Sequence, residues 1–339
     1  MRDITFSMKY ILKHKPEDFV VEEVLGNETE EGSNYILCKL IKKNYDTFTV
    51  IKKLSKFFNI KEKDIGYAGI KDKKAITTQS ITLPAKTKAK FEQLNKTIKL
   101  DDNISIELCK NVNNHIRPGD LVGNYFSIIV RSLDNEINFN IKKVPNYFGE
   151  QRFGKENNII GENLVKKKFK VAAELALESQ KEGYLIKEHL EKNPNDYVGA
   201  LSKLNTSLLM LFIHSYQSFL WNSIVKEIIK NKGIGNIDEN DFLEIPGFGS
   251  ECQEKFEDEY NKVLENEGIS ERDFIIREFP KLSCQGDSRK ILMEIKDFSY
   301  NFSDDEEFKN KKKCLLKFSL TKGSYATSLI EHLFNHSEK

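Results

Sequence analysis

The period of the hydrophobic pattern changes twice along this chain, and nothing else in the sequence constrains the fold as much. In the first part Asn34 to Lys42 (NYILCKLIK) alternates apolar and polar residues as a half-buried strand does, and Ile65 to Ile70, the β-branched run Ile76 to Leu83 (ITTQSITL), Ile104 to Cys109 and Tyr125 to Leu133 (YFSIIVRSL) read as further strands. One helix interrupts them, with Asp46 and Thr47 as cap candidates and apolar residues at Val50, Ile51, Leu54, Phe57 and Phe58. From Glu162 the spacing becomes helical, over Glu162 to Gly183, then Thr206 to Lys232 closed by Gly233, then the acidic Gln253 to Asn266. Cys314 to Leu320 (CLLKFSL) returns to strand character, Gly323 supplies a turn, and Ser324 to Phe334 reads as a helix capped by Ser324. A strand pattern that resumes after a helical block implies that the block is inserted into the first domain. Strands and helices do not alternate strictly, so the expectation is an α+β fold with a mixed, largely antiparallel sheet rather than a doubly wound one. The chain has 339 residues, which suits two domains at roughly 150 residues each.

Charge is as unevenly distributed as hydropathy. The formal net charge is only +1, yet residues 1 to 154 carry 26 basic and 20 acidic side chains and the remainder 27 and 32. Residues 41 to 90 hold 13 basic and 4 acidic groups, whereas residues 237 to 278 hold 4 and 14. The first of these stretches suits a polyanion, because each lysine beside a phosphate releases condensed counterion. No apolar run approaches the roughly 18 residues of a bilayer span, and the start, MRDITFSMKY, is polar, so neither secretion nor membrane insertion is expected; the expected compartment is the cytoplasm. The five cysteines are scattered without a C-x-x-C pair and read as small buried hydrophobes. His332 and His336 stand four apart but lack the glutamate of a metalloprotease frame, and no metal site is expected. The phosphate-cradling loop, the dinucleotide fingerprint and the G-x-S-x-G elbow are all missing, so nucleotide-driven, nicotinamide and serine-hydrolase chemistries lack support.

Three stretches concentrate glycine, charge and aromatic residues. In Gly66 to Gln79 (GYAGIKDKKAITTQ), Asp72 stands in a turn among Lys71, Lys73 and Lys74, which would favour the ionised carboxylate and attract phosphate; aspartate is also a common turn former. In Asn146 to Gly154 (NYFGEQRFG), Tyr147 or Phe148 could stack on a base and Arg152 could fork onto a phosphate, or the aromatics could be core. In Lys13 to Glu22, Pro16, Glu17 and Asp18 form a turn entering a strand.

Taken in order, these stretches resemble the TruD family of RNA pseudouridine synthases, whose motifs look like K-x-x-P-E-D-F-x-V-x-E, A-G-x-K-D-x-x-A-x-T-x-Q and P-N-Y-F-G-x-Q-R-F-G. Here they stand at Lys13 to Glu23, Ala68 to Gln79 and Pro145 to Gly154, with further matches at Arg117 to Phe126, Ser215 to Asn222 and Gly323 to Leu329. The resemblance implies a pseudouridine synthase catalytic domain over 1 to 160 plus 286 to 339, interrupted by a helix-rich TruD-specific domain over 161 to 285. It implies isomerisation of a uridine within RNA, uridine 13 of the transfer RNA D arm, with no cofactor and no metal. Asp72 would be the catalytic carboxylate, and one carboxylate suffices because it can attack C1′ or take the 2′ proton and then be regenerated. Phe148 would hold the flipped base, with Asn146 on the same loop or the base edge. Lys13 would neighbour Asp72 or a phosphate, with Arg152 competing for that place, and Lys71 would lie in the substrate site. The partner is RNA, most simply transfer RNA. A non-catalytic RNA-binding or chaperone protein would use the same basic surface, but a carboxylate among phosphates weakens binding and serves a binder poorly. An RNA methyltransferase would need a cofactor pocket on a glycine-rich strand-helix turn, and none is visible.

Overall fold

The computed structural model describes residues 9–26, 30–139, 141, 143–154 and 156–335. In chain order these form β1 (Phe19–Leu25), β2 (Glu31–Lys43), α1 (Thr47–Phe58), β3 (Gly66–Tyr67), β4 (Ile76–Pro84), α2 (Lys88–Gln93), β5 (Thr97–Asp101), β6 (Ile104–Val112) and β7 (Leu121–Leu133). There follow α3 (Asn157–Val165), α4 (Phe169–Ser179), α5 (Gly183–Lys192), α6 (Tyr197–Leu201), α7 (Thr206–Lys232), β8 (Phe242–Ile245), α8 (Glu257–Glu267) and β9 (Asp287–Lys290), and then β10 (Ile295–Asp304), β11 (Lys312–Thr321) and α9 (Ala326–Asn335). Among the described residues no helix is long and apolar enough to cross a membrane.

The chain forms two compact units: Met1–Asn140 with Glu294–Ala326 and Glu331–Lys339, and Ile141–Met293 with Thr327–Ile330. In the first, a nine-stranded mixed sheet runs β10-β11-β7-β1-β4-β2-β6-β5, with β3 paired to β4. Among the described residues of this sheet β1 and β4 lie parallel and the other pairs are antiparallel. Alternation sets the inward face of β2, where Ile36, Cys38 and Leu40 are fully buried. Helix α1 covers that core with Val50, Ile51, Leu54 and Phe58. Asp46 caps it by accepting the Thr49 amide at 2.8 Å, and Asn59 ends it in the left-handed region.

In the second unit α7 is buried along most of its length, with Phe212, Ile213, Tyr216, Leu220, Trp221, Ile224 and Val225 at the centre of the core. Helix α3 packs directly on it because Gly161 has no side chain: a Cβ there would sit 2.0 Å from the Phe212 carbonyl oxygen. The single helix expected over Glu162 to Gly183 is in fact two and the start of a third. Lys167 turns left-handed (φ 56°) and the Lys168 amide folds back to the Asn163 carbonyl, which ends α3 before α4 begins. Ser324 stands two residues before α9 rather than at its cap position. His336, four residues after His332, lies outside the described residues.

The boundaries of the units also differ from the sequence expectation. Segments 141–160 and 286–293 pack with the helical unit: the Asn146 amide donates to the Ile291 carbonyl at 2.7 Å, the Met293 amide to Val144 at 2.8 Å, and Tyr147 and Phe148 lie against the helical core. Strand β9 pairs antiparallel with β8 in this unit, so backbone pairing, which a periodicity reading does not see, carries these residues across.

Candidate active site

The parallel β1–β4 pair is what gathers the first two motifs. Val20 lies opposite Ile76, so the segments leading into the two strands emerge at the same end of the sheet. Lys13 and Asp72, 59 residues apart, thereby meet: Lys13 Nζ donates to Asp72 Oδ2 at 2.8 Å, with side chains 21% and 35% exposed. The K-x-x-P-E-D-F motif builds the approach. Asp18 is fully buried and accepts two bonds from Arg131, Nε at 2.9 Å and Nη2 at 2.8 Å, while its Oδ2 also accepts the Lys15 amide at 3.1 Å. Arg131 further donates to Asp305 at 2.8 Å. This locks the turn, starts β1 at Phe19, and leaves Lys13 Nζ 4.1 Å from the centroid of the Phe19 ring.

The loop below Asp72 differs from expectation at Lys71. Its ammonium does not join a cationic cluster around Asp72. It is buried and pairs with Glu23 at 2.6 Å, where the carboxylate is wholly inaccessible and also accepts the Ser80 amide at 3.1 Å. The residue is drawn inward because its amide donates to Thr47 Oγ1 at 3.0 Å and Glu23 lies beside it on β1. Lys73 and Lys74 remain exposed. Gln79 steadies the same loop by donating to the Gly69 carbonyl at 3.2 Å.

The P-N-Y-F-G motif belongs to the helical unit and is held by residues that its own sequence does not announce. Arg289 on β9 donates to the Asn146 carbonyl from Nε at 3.0 Å and Nη2 at 2.7 Å, and to Asn146 Oδ1 at 2.9 Å. Its guanidinium carbon lies 4.1 Å from the centroid of the Phe148 ring, which meets Trp221 edge-on at 5.5 Å. Asn222 brackets the Phe148 backbone, accepting its amide at 2.9 Å and donating to its carbonyl at 2.9 Å. Burial pushes the Tyr147 phenol up to about 12, and Tyr147 and Phe148 are both half-buried against the helical core. Arg152 Nε donates weakly to Ser218 Oγ at 3.4 Å, and Ser215 Oγ donates to the Arg152 carbonyl at 3.0 Å. Burial, followed by the Arg152 charge, holds nearby His214 below its ordinary value.

Of the residues singled out in the sequence, Lys13 and Asp72 are therefore brought into contact in the first unit, while Asn146, Phe148 and Arg152 share the second. Arg289 and Asn222 were missed as supports; the S-Y-Q-S-F-L-W-N stretch that ends on Asn222 was the available signal for one of them.

A family model described as tRNA pseudouridine synthase D (TruD) matches residues 5–185, 180–245 and 240–333. A relative in Methanocaldococcus jannaschii named "Probable tRNA pseudouridine synthase D 2" is 31% identical over 95% of this chain and 91% of its own. A Methanosarcina mazei relative, "Probable tRNA pseudouridine synthase D", is 28% identical over 94% and 92%. A crystal structure from Methanosarcina mazei, described as a tRNA pseudouridine synthase D (TruD), superposes with a TM-score of 0.78 at 27% identity, covering 97% of this chain and 94% of that one.

Proposed function

This chain belongs to the tRNA pseudouridine synthase D family, a family of isomerases, and from that premise we propose that it converts uridine 13 in the D arm of transfer RNA to pseudouridine with Asp72 as the reacting carboxylate. The N1–C1′ bond breaks, the uracil turns, and C5 bonds to C1′; N1 gains a proton and C5 loses one, so the reaction imports no group and changes no oxidation state. Asp72 either attacks C1′ and is later displaced, or takes the 2′ proton and returns it. Lys13 supplies a counter-charge beside that carboxylate. Phe148, set in its loop by Asn222 and Arg289, offers a ring for the extruded base. Asn146 positions that loop, and Arg152 is the phosphate contact. We assign the catalytic role to the sheet-bearing unit and regard the helical unit as the TruD-specific part.

The observation that carries this reading is the Lys13–Asp72 pair. A carboxylate that stays one-third accessible on a loop whose other anchors are buried supports a reacting role for Asp72. The test uses unmodified transfer RNA transcripts without cofactor or metal, with new pseudouridines mapped by carbodiimide-dependent reverse-transcription stops. Wild type should produce a stop at uridine 13, and Asp72→Asn should lose turnover while filter-binding affinity for the same RNA persists. Wild-type turnover in Asp72→Asn would remove the residue from the chemistry, and affinity without any new pseudouridine in wild type would favour a non-catalytic RNA binder.

A further inference from the structure

Lys42 is the last inward-facing residue of β2, continuing the series Ile36, Cys38, Leu40, and its side chain is wholly buried. Burying an ammonium is costly unless every donor is used. Here each described acceptor is a main-chain carbonyl: Tyr45 at 2.7 Å, Asp72 at 2.9 Å and Lys71 at 3.3 Å. Three N–H groups thus meet three carbonyls, two of them the consecutive peptide units that carry Asp72. The register explains the meeting, because Lys42 lies opposite Thr77 on β4 and Ile104 on β6, at the sheet end from which the Asp72 loop departs.

We infer that Lys42 is a positioning residue for the isomerisation, its ammonium fastening the backbone of the Asp72 loop from beneath so that the carboxylate stays aligned with Lys13. This rests on the reading of Asp72 as the reacting group. Arginine or a neutral amide does not reproduce the arrangement, since neither presents three N–H groups from one atom. The charged groups facing Lys42 are the carboxylates of Asp72 and Asp46 and the ammonium of Lys71; its strand neighbours Thr77 and Ile104 are uncharged. Burial lowers Lys42 to about 8 against the pull of the two carboxylates, with Lys71 adding to the fall. The sign follows: a value lowered by burial means that the ordered loop favours the neutral amine relative to a solvated Lys42, so the loop is held more firmly as pH rises through about 8, the amine keeping two N–H groups for the carbonyls and shedding the cost of a buried charge.

The experiment compares wild type with Lys42→Gln, which cannot titrate, at pH 7 and pH 9. Amide exchange of the peptide covering residues 66–78, read as protection factors, should be about tenfold or more lower in Lys42→Gln than in wild type at both values, the size expected for one charge-assisted bond, and should rise from pH 7 to pH 9 in wild type only. Single-turnover isomerisation should be slower in Lys42→Gln by about ten- to hundredfold at pH 7, with RNA affinity within about threefold of wild type. The wild-type-to-variant rate ratio should then hold or grow toward pH 9; taking the ratio cancels titration of the RNA itself. A ratio that shrinks toward one by pH 9, or wild-type protection that does not rise from pH 7 to 9, overturns the inference and leaves Lys42 as a fold-stabilising residue only. If Lys42→Gln fails to fold, the wild-type protection profile decides alone. Absence of pseudouridine formation by wild type would break the functional reading, and the exchange measurement would still decide whether Lys42 orders the loop.

Discussion

The loop that carries Asp72 and the loop that carries Phe148 are held by different means, and the difference follows from what each has to present. Beneath Asp72 the supports are ionic: the buried Lys71–Glu23 pair, the Lys42 ammonium on three carbonyls, and the Asp18–Arg131 fork that seats the Lys13 segment. Around Phe148 one side-chain amide, Asn222, satisfies both backbone groups of the residue, and a single guanidinium serves Asn146 and the ring together. A loop that offers a carboxylate to a polyanion would be pushed out of place by it, and buried charges anchored on both sides resist the push because they are screened little by salt. A loop that offers an uncharged ring meets no such force, and dipolar bonds suffice.

The sharpest way to break this comparison is at Glu23. Glu23→Gln leaves the Lys71 ammonium buried without its counter-charge, and removing one partner of a buried pair costs roughly 3 to 5 kcal/mol. Urea unfolding of the variant should show a loss of that order, whereas joint replacement of Glu23 by Leu and Lys71 by Met should recover most of it, since apolar substitutes for both partners are often neutral. A loss below about 1 kcal/mol in Glu23→Gln would mean that Lys71 finds water, and the ionic support would then be nominal.

How much of this was legible in the sequence follows the same division. Helix α1 with its Asp46 cap, the full extent of α7 up to Gly233, and strands β2, β4, β6 and β7 could all be read because their signals are local: a period, a cap, a glycine. Lys71 could not be read correctly, since whether a lysine in a charged turn points out or in depends on Glu23, which reaches it only through the parallel β1–β4 pairing. Arg289 was invisible for the same reason, 143 residues from the Asn146 it holds. Lys42 was partly legible: it occupies an inward position in the β2 alternation, and a charged residue on a core face is a signal in itself.

The amide-supported loop should respond more mildly. Asn222→Ala removes both bonds to the Phe148 backbone, which costs about 1 to 3 kcal/mol in unfolding experiments. Phe148→Ala should slow single-turnover isomerisation by about ten- to hundredfold, matching roughly 1 to 3 kcal/mol of base stacking, while Phe148→Tyr should keep most of the rate. Melting curves separate the two effects, because truncating a core ring alone costs roughly 3 to 5 kcal/mol. Equal rates for the alanine variant and wild type would take Phe148 out of the site and leave its loop as packing.

The smallest effect concerns the charges that the Asp72 loop does expose. Lys73 and Lys74 face solvent while Lys71 does not, so only the first two can add to RNA affinity from this turn. Replacing both with glutamine should weaken binding by a modest factor for every RNA sequence, because lysines on phosphates position the RNA without reading its bases. It should also flatten the slope of log affinity against log salt by about 0.7 to 0.9 for each phosphate that is no longer neutralised. Lys71→Gln should leave that slope at the wild-type value and register instead as reduced stability, since its removal strands the Glu23 carboxylate. If Lys71→Gln flattened the slope as much as the double exposed variant, the ammonium would have to leave Glu23 on binding RNA. The division between a buried ionic support and an exposed phosphate surface would then hold only for the free protein.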